Sequence, residues 1–518
     1  METTAGQAKF KPQGQTLEKG DKLMTSINSD FMSQLALRSL NNSSSMMTEA
    51  MERLSTGKRV NSAADDAAGL GIATKLKAQV NGLKAAIKNA SDALAMVGTI
   101  EGALNEGTNI LQRMRQLAVQ AASDTNTGTD RAYLQDEVNQ LATELNRISN
   151  NTEFNSQKLL DGTFTDKVIQ IGTASGQVLR LGVASTDAGT LGTYQRSSTN
   201  EVTAAAATHA AAKTAVNALS DASADYVVNG SFGTSTAAVD AGADARDVAS
   251  AFNLISGTTG ILASAITRGR LSFASAATYT FTLEGKSSSA STVTATITAT
   301  SDVTAIKDAI NAVSGSTGIT AALTTDKSGI NMVQEEGYDI IFGDMTGGNA
   351  TLTTMDRDET VGSNITLTNG GNDSGALLGQ VTLSSHQAFT ITPGHANNGF
   401  SANTAEISSA LASIASVSLV TKTGATNALA VIDGGLAMIS EIRSSMGAAS
   451  NRLQSTIDNL SNIAVNAQAS LSKIEDANFA EETAALTKAQ ILQKASTSML
   501  AQANKGKQGM LELIQRLG

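Results

Sequence analysis

The sequence predicts an α+β multidomain chain: a long coiled α-helical bundle formed by both termini, with an inserted Ser/Thr-rich, β-dominated middle region. Three observations predict it. Apolar residues recur in steps of three and four near both ends, the period changes to two between them, and only 2 prolines interrupt 518 residues. Alanine-rich composition with Leu, Met and Gln favours helix at the ends.

At the N-terminal end, Leu76, Val80, Leu83, Ile87, Ala90, Leu94 and Val97 form a heptad-like stripe that Leu104 and Leu111 continue. After the turn-rich 123–130, Leu134, Val138, Leu141, Leu145 and Ile148 predict a second helix. At the other end the stripe runs Leu429, Ile432, Leu436, Ile439, Ile442, Met446, Ala449, Leu453, Ile457 and Leu460, then Ala464, Ala467, Leu471 and Ile474. Neither end can bury such a stripe alone, so the termini are expected to pair and the middle to loop out. In that middle, 168–171 with 178–181, and 279–284 with 293–298, read as strand–turn–strand. Residues 252–261 (FNLISGTTGI) repeat at an offset of 58 as 310–319 (INAVSGSTGI), which predicts a small α+β module used twice.

Composition excludes several functions. There is no Cys, hence no disulfide framework, thiolate metal site or Cys nucleophile. Formal net charge is −10, and residues 185–424 hold 10 Lys/Arg against 20 Asp/Glu, so the middle repels nucleic acid. No apolar run approaches the ~18–20 residues of a membrane span, and 1–23 has no signal-peptide core. His209, His386 and His395 lack metal-ligand spacing. The sequence Gly285-Lys286-Ser287 lacks the first glycine of a phosphate loop and reads as a hairpin turn. Carboxylates at Asp65-Asp66 and at Asp356, Asp358 and Glu359 fit solvated turns or helix N-termini better than a cation site. No catalytic residue, cofactor or metal is assigned.

Surplus apolar surface is what remains. Met24–Leu54 and Glu481–Leu517 carry more apolar face than one thin bundle can cover. Subunit assembly is therefore assigned to Leu35, Leu40, Met51, Leu54, Ile491, Leu492, Met499, Leu500, Leu511 and Ile514. Before assembly these segments are expected to be largely disordered, because isolated helices are marginal in water.

The residues at both ends resemble bacterial flagellin. The resemblance rests on 53–70 (RLSTGKRVNSAADDAAGL), 109–120 (NILQRMRQLAVQ), Glu144–Ile148 and Lys158–Gly162. It continues with 474–479 (IEDANF), 489–495 (AQILQKA) and 499–504 (MLAQAN), and together these blocks span roughly 24–185 and 425–518. Lys473 and Asn478 depart mildly from the usual C-terminal motif. The repeat in the middle is similar to a module inserted in flagellins and hook-associated proteins.

That resemblance implies a helical-filament subunit for motility, with the hook-filament junction protein as the alternative. It implies an inner coiled-coil domain (24–67 with 478–518), a helical-bundle domain with a β-hairpin (68–184 with 425–477) and an outer variable domain (185–424). It also implies location in the extracellular flagellum after type III export, an export chaperone on the C-terminal helix, and filament cap and hook-associated proteins as partners. A host innate flagellin receptor is implied at Arg113, Leu117, Gln120 and Glu137. Residues 1–23 are an extension ahead of a flagellin-like start at Met24, expected to be disordered or untranslated.

Overall fold

The computed structural model describes residues 31–199, 201–214, 219, 224–395, 398–401 and 404–517; the side chains of 224, 507 and 509–517 lie outside this description. Among the described residues, helices run in the order α1 (Phe31–Thr56), α2 (Ala67–Ala122), α3 (Gly128–Asn151), α4 (His209–Lys213), α5 (Ala245–Leu254), α6 (Ser256–Thr259), α7 (Thr304–Ala312), α8 (Ser314–Thr317), α9 (Lys422–Glu475) and α10 (Phe479–Leu517). Strands fill 153–202 and 224–413 between them. The chain divides into two compact units, 1–85 with 460–518, and 86–459.

In the first unit α1 pairs with α10. The turns that precede α2 and follow α9 are tied side by side. The Arg59 N–H donates to Glu475 O at 2.7 Å and the Ala477 N–H to Gly57 O at 3.0 Å. Gly57 turns the chain at φ +71°, a conformation that costs a side-chain-bearing residue. Both members of the Asp65-Asp66 pair act locally. The Asp65 carboxylate accepts the N–H groups of Asn61 and Ser62, which hold its pKa below the usual carboxylate range, and Asp66 accepts the Gly69 N–H at 2.7 Å in the first turn of α2. Both α1 and α10 are helical here, and each gives the other a face to bury.

In the second unit one core joins α2, α3 and α9. Val97, Ile100, Leu104, Leu111 and Met114 from α2 meet Val138 and Leu145 from α3, and Ile432, Ile439, Met446 and Leu453, every seventh residue of α9. A capping box starts α3, with Thr127 Oγ1 accepting from the Asp130 N–H and the Asp130 carboxylate accepting from the Thr127 N–H. One stretch of α9 is long and apolar enough to pass as a membrane span (mean hydropathy 1.2). Its heptad residues, however, fill this core, and Asp433 pairs with Arg115 at 2.6 Å on its surface.

The middle region carries the module twice. Hairpin 224–239 leads through α5 and α6 into strand Leu262–Phe273; hairpin 278–296 leads through α7 and α8 into strand Ile319–Leu323. The repeated sequence makes repeated bonds. The Asn253 amide bridges both backbone groups of Ala263 at 2.9 and 2.8 Å, and the Asn311 amide does the same to Ala321. Each helical turn ends on a left-handed glycine, Gly260 (φ +74°) and Gly318 (φ +70°). Each module has its own core, Tyr226, Phe252 and Phe389 in one and Tyr279, Phe281 and Phe342 in the other. The long strand 262–273 links them, pairing with 380–384 along its first half and with 329–334 and 350–354 along its second. The predicted hairpins are present as 167–170 with 178–181 and 278–284 with 291–296.

Candidate assembly surface

The α1–α10 seam is built from small side chains. Ser33, Ala36, Ser43 and Ala50 are the buried residues of α1, and Ala489 and Ser496 are buried on α10. The Ser39 and Ser496 hydroxyls share a hydrogen bond of 3.0 Å across it. Small residues at three- and seven-residue spacing let two helices approach closely without large knobs. Charge fixes the register toward the α1 C-terminus. Arg53 reaches Glu482 at 3.3 Å and also Glu49 one turn back, and Lys58 pairs with Glu475.

Because small residues occupy the seam, the large apolar side chains lie on its flanks. Leu35 and Met51 on α1, and Ile491 (62% exposed), Leu492 and Met499 (58%) on α10, all face solvent. Leu40, Leu54 and Leu500 are half-buried at the seam's margin. Leu511 and Ile514 are in the helix, but their side chains lie outside the described residues. Sequence reasoning missed Phe31, Met32, Leu37 and Phe479, which are equally exposed. The signal that could have found them is the serine–alanine register 33, 36, 43 and 50, since whatever bulky residue lies off that register must face outward. A shallow apolar depression on α10, lined by Ala480, Thr483, Ala484, Thr487, Ile491 and Leu492, is the concave part of this surface.

The four expected recognition residues do not all share one surface. Arg113 Nε donates to Glu137 Oε1 at 2.8 Å, both side chains are exposed, and Gln120 is exposed about two turns further along α2. Leu117 is a correction: it is 1% exposed and points into the α2–α3–α9 core, because it continues the buried Leu111–Met114 face.

No group of three or more potential metal ligands occurs among the described residues. His209 Nε2 lies 3.4 Å from Glu284, and His386 Nε2 3.7 Å from Glu441, each beside a single carboxylate. Asp358 and Glu359 bind the start of α9 through Asn427 (2.7 Å) and Thr423 (2.6 Å).

The chain thus combines a paired-helix unit with exposed bulky apolar side chains and a second unit built on a heptad core. Residues 27–165 match the family model for the bacterial flagellin N-terminal helical region, residues 429–514 that for the C-terminal helical region, and residues 280–335 the flagellin hook IN motif. The chain is 35% identical to the B-type flagellin of Pseudomonas aeruginosa over 94% of its length and 99% of that protein. It is 32% identical to the flagellin of Salmonella typhimurium, again over 94% and 99%. Among solved structures, FliC from Burkholderia pseudomallei aligns at TM-score 0.28 and 17% identity, with 69% of this chain and 99% of that one covered. The chain belongs to the bacterial flagellin family. It is a structural subunit of the flagellar filament and a component of the extracellular flagellum.

Proposed function

We propose that polymerisation is driven by the flanks of the α1–α10 seam, with Leu35, Met51, Ile491, Leu492 and Met499 carrying most of the subunit–subunit contact and Leu40, Leu54, Leu500, Leu511 and Ile514 extending it. The single observation behind this reading is the inverted side-chain distribution, small residues inside the pair and large ones outside. Head-to-tail contacts that do not close generate an open filament, and each large side chain buried contributes about 1.5–3 kcal/mol. Replacing Leu35, Met51, Ile491 and Met499 with Ser should leave the monomer's melting temperature within a few degrees of the parent. Seeded polymerisation, followed by pelleting, should be lost. Normal pelleting by this variant would overturn the reading.

The work of the chain is mechanical, and it catalyses no reaction. The inner pair (24–67 with 478–518), the bundle (68–184 with 425–477) and the variable middle (185–424) are its functional divisions. Export proceeds through the flagellar type III channel, with a chaperone on α10 covering the apolar flank until release; the filament cap and hook-associated proteins are its other flagellar partners. As a free monomer it presents Arg113, Gln120 and Glu137 to the host innate flagellin receptor, with Leu117 contributing through the core beneath them. Reporter cells bearing that receptor should respond to purified monomer and lose most of the response to Arg113→Ala; an unchanged response would count against this part.

A further inference from the structure

The chain contains four Asn-Gly steps, Asn81-Gly82, Asn229-Gly230, Asn369-Gly370 and Asn398-Gly399. A glycine after asparagine removes the side chain that would block its own nitrogen from reaching the asparagine amide carbon, so each step is a candidate for intramolecular cyclisation. The fold treats them differently. Asn81-Gly82 lies inside α2, where helical geometry fixes both residues. The Asn229 amide donates to Thr390 at 3.3 Å and accepts from Thr234 at 2.7 Å, while the Gly230 N–H is taken by Gly233 O at 3.0 Å. Asn398 is buried, and its side-chain Oδ1 accepts the N–H groups of Phe400 and Ser401 at 3.1 and 2.9 Å.

Asn369 and Gly370 are both exposed, in the turn between strands Val361–Leu367 and Gly375–Leu378. Thr368 and Asn372 close this turn through Thr368 N–H to Asn372 O at 2.8 Å, and a second exposed glycine, Gly371, follows. Gly370 has φ +75° and open space around it. Among the described residues, neither the Asn369 side chain nor the Gly370 N–H has a hydrogen-bond partner; only the Asn369 backbone is held, by Asn349 at 3.1 Å. We propose that Asn369 is a site of spontaneous covalent modification, converting to aspartate and isoaspartate through a cyclic imide while the other three Asn-Gly steps are protected by the fold.

The step balances without a cofactor. The Gly370 nitrogen, losing its proton to hydroxide, forms a bond to Asn369 Cγ; the Cγ–Nδ2 bond breaks and ammonia leaves with a proton from water. One water molecule then opens the five-membered imide at either carbonyl. Opening at the main-chain carbonyl leaves isoaspartate, with one extra methylene in the backbone, and opening at Cγ leaves aspartate. Both add one negative charge to a region already rich in acid.

The test uses the full chain in H2-18O at mildly alkaline pH, with peptide mapping by mass spectrometry at successive times. In the folded chain, Asn369 should gain the heavy label roughly tenfold faster than Asn229, Asn398 or Asn81, equivalent to about 1.4 kcal/mol in barrier. In concentrated urea the four rates should converge, because the protection is structural. Asn369→Gln should remove label at that position, and isoelectric focusing of the aged parent should show a new acidic band that this variant lacks. Equal rates for all four steps in the folded chain would overturn the proposal. So would a preference for Asn369 that persists undiminished in urea.

Discussion

Leu117 and Arg113 lie four residues apart on α2, and the structure gives them opposite duties. Leu117→Ala removes a side chain with 1% exposure from a packed core and should cost about 2–5 kcal/mol, read as a lower urea midpoint. Arg113→Ala breaks an exposed pair with Glu137, and the same measurement should move by less than about 1 kcal/mol. Any loss of receptor signalling in the arginine variant alone therefore belongs to a lost contact. Asp339 gives a pH prediction. Its carboxyl is withdrawn from water and accepts the Gly379 N–H at 3.0 Å; burial, aided by nearby Asp244, pushes its pKa up to about 7. The folded state then holds the proton more tightly than the unfolded one, so this group's contribution to stability is fully present only below the ordinary value of 3.8 and is lost as pH rises to about 7. Asp339→Asn should match the parent below pH 3.8 and exceed it at pH 8 by roughly 2–4 kcal/mol. The flagellin resemblance supplied Arg113 and Glu137 together with Leu117. It did not warn against Leu117, because a motif carries residue identities and only packing says which way a side chain faces.

At the scale of elements, the seam and the repeat each make a prediction. Ala36 and Ala50 are buried in α1 between bulky, outward-facing neighbours. Ala50→Leu should overpack the α1–α10 contact and lower stability by about 1–3 kcal/mol, whereas Leu35→Ala should be nearly neutral for the monomer. In the first module Phe252→Ala should cost about 3–5 kcal/mol, while Leu254, 87% exposed two residues on, should change stability by less than about 0.5 kcal/mol when truncated. Thermal melts of the four variants check both pairs. The repeat at offset 58 was legible, and it encodes the paired Asn–Ala bridges and left-handed glycines directly. The sheet order was not, because the long strand 262–273 exchanges partners along its length, and those partners lie 57 to 122 residues away in sequence.

At the scale of the molecule, the two ends of the chain depend on each other. The heptads of α2 and α9 were readable from spacing alone, since a stripe that long can be buried only by another helix. The α1–α10 pair was harder to read, because its buried residues are Ser and Ala, with the larger apolar residues lying off that register. Deleting 479–518 removes α10 and leaves the 26-residue α1 without its seam. An isolated helix of that length is marginal in water, so far-UV circular dichroism should fall by more than the deleted residues alone account for. The measurement that most directly tests the central claim is a helical reconstruction of filaments grown from the purified chain, at a resolution that shows side chains. It should place Leu35, Met51, Ile491 and Met499 in contact with neighbouring subunits and leave Ala36, Ala50, Ala489 and Ser496 inside each subunit's own pair. Filaments in which those four large side chains still face solvent, or in which α1 and α10 of one subunit have separated, would contradict it.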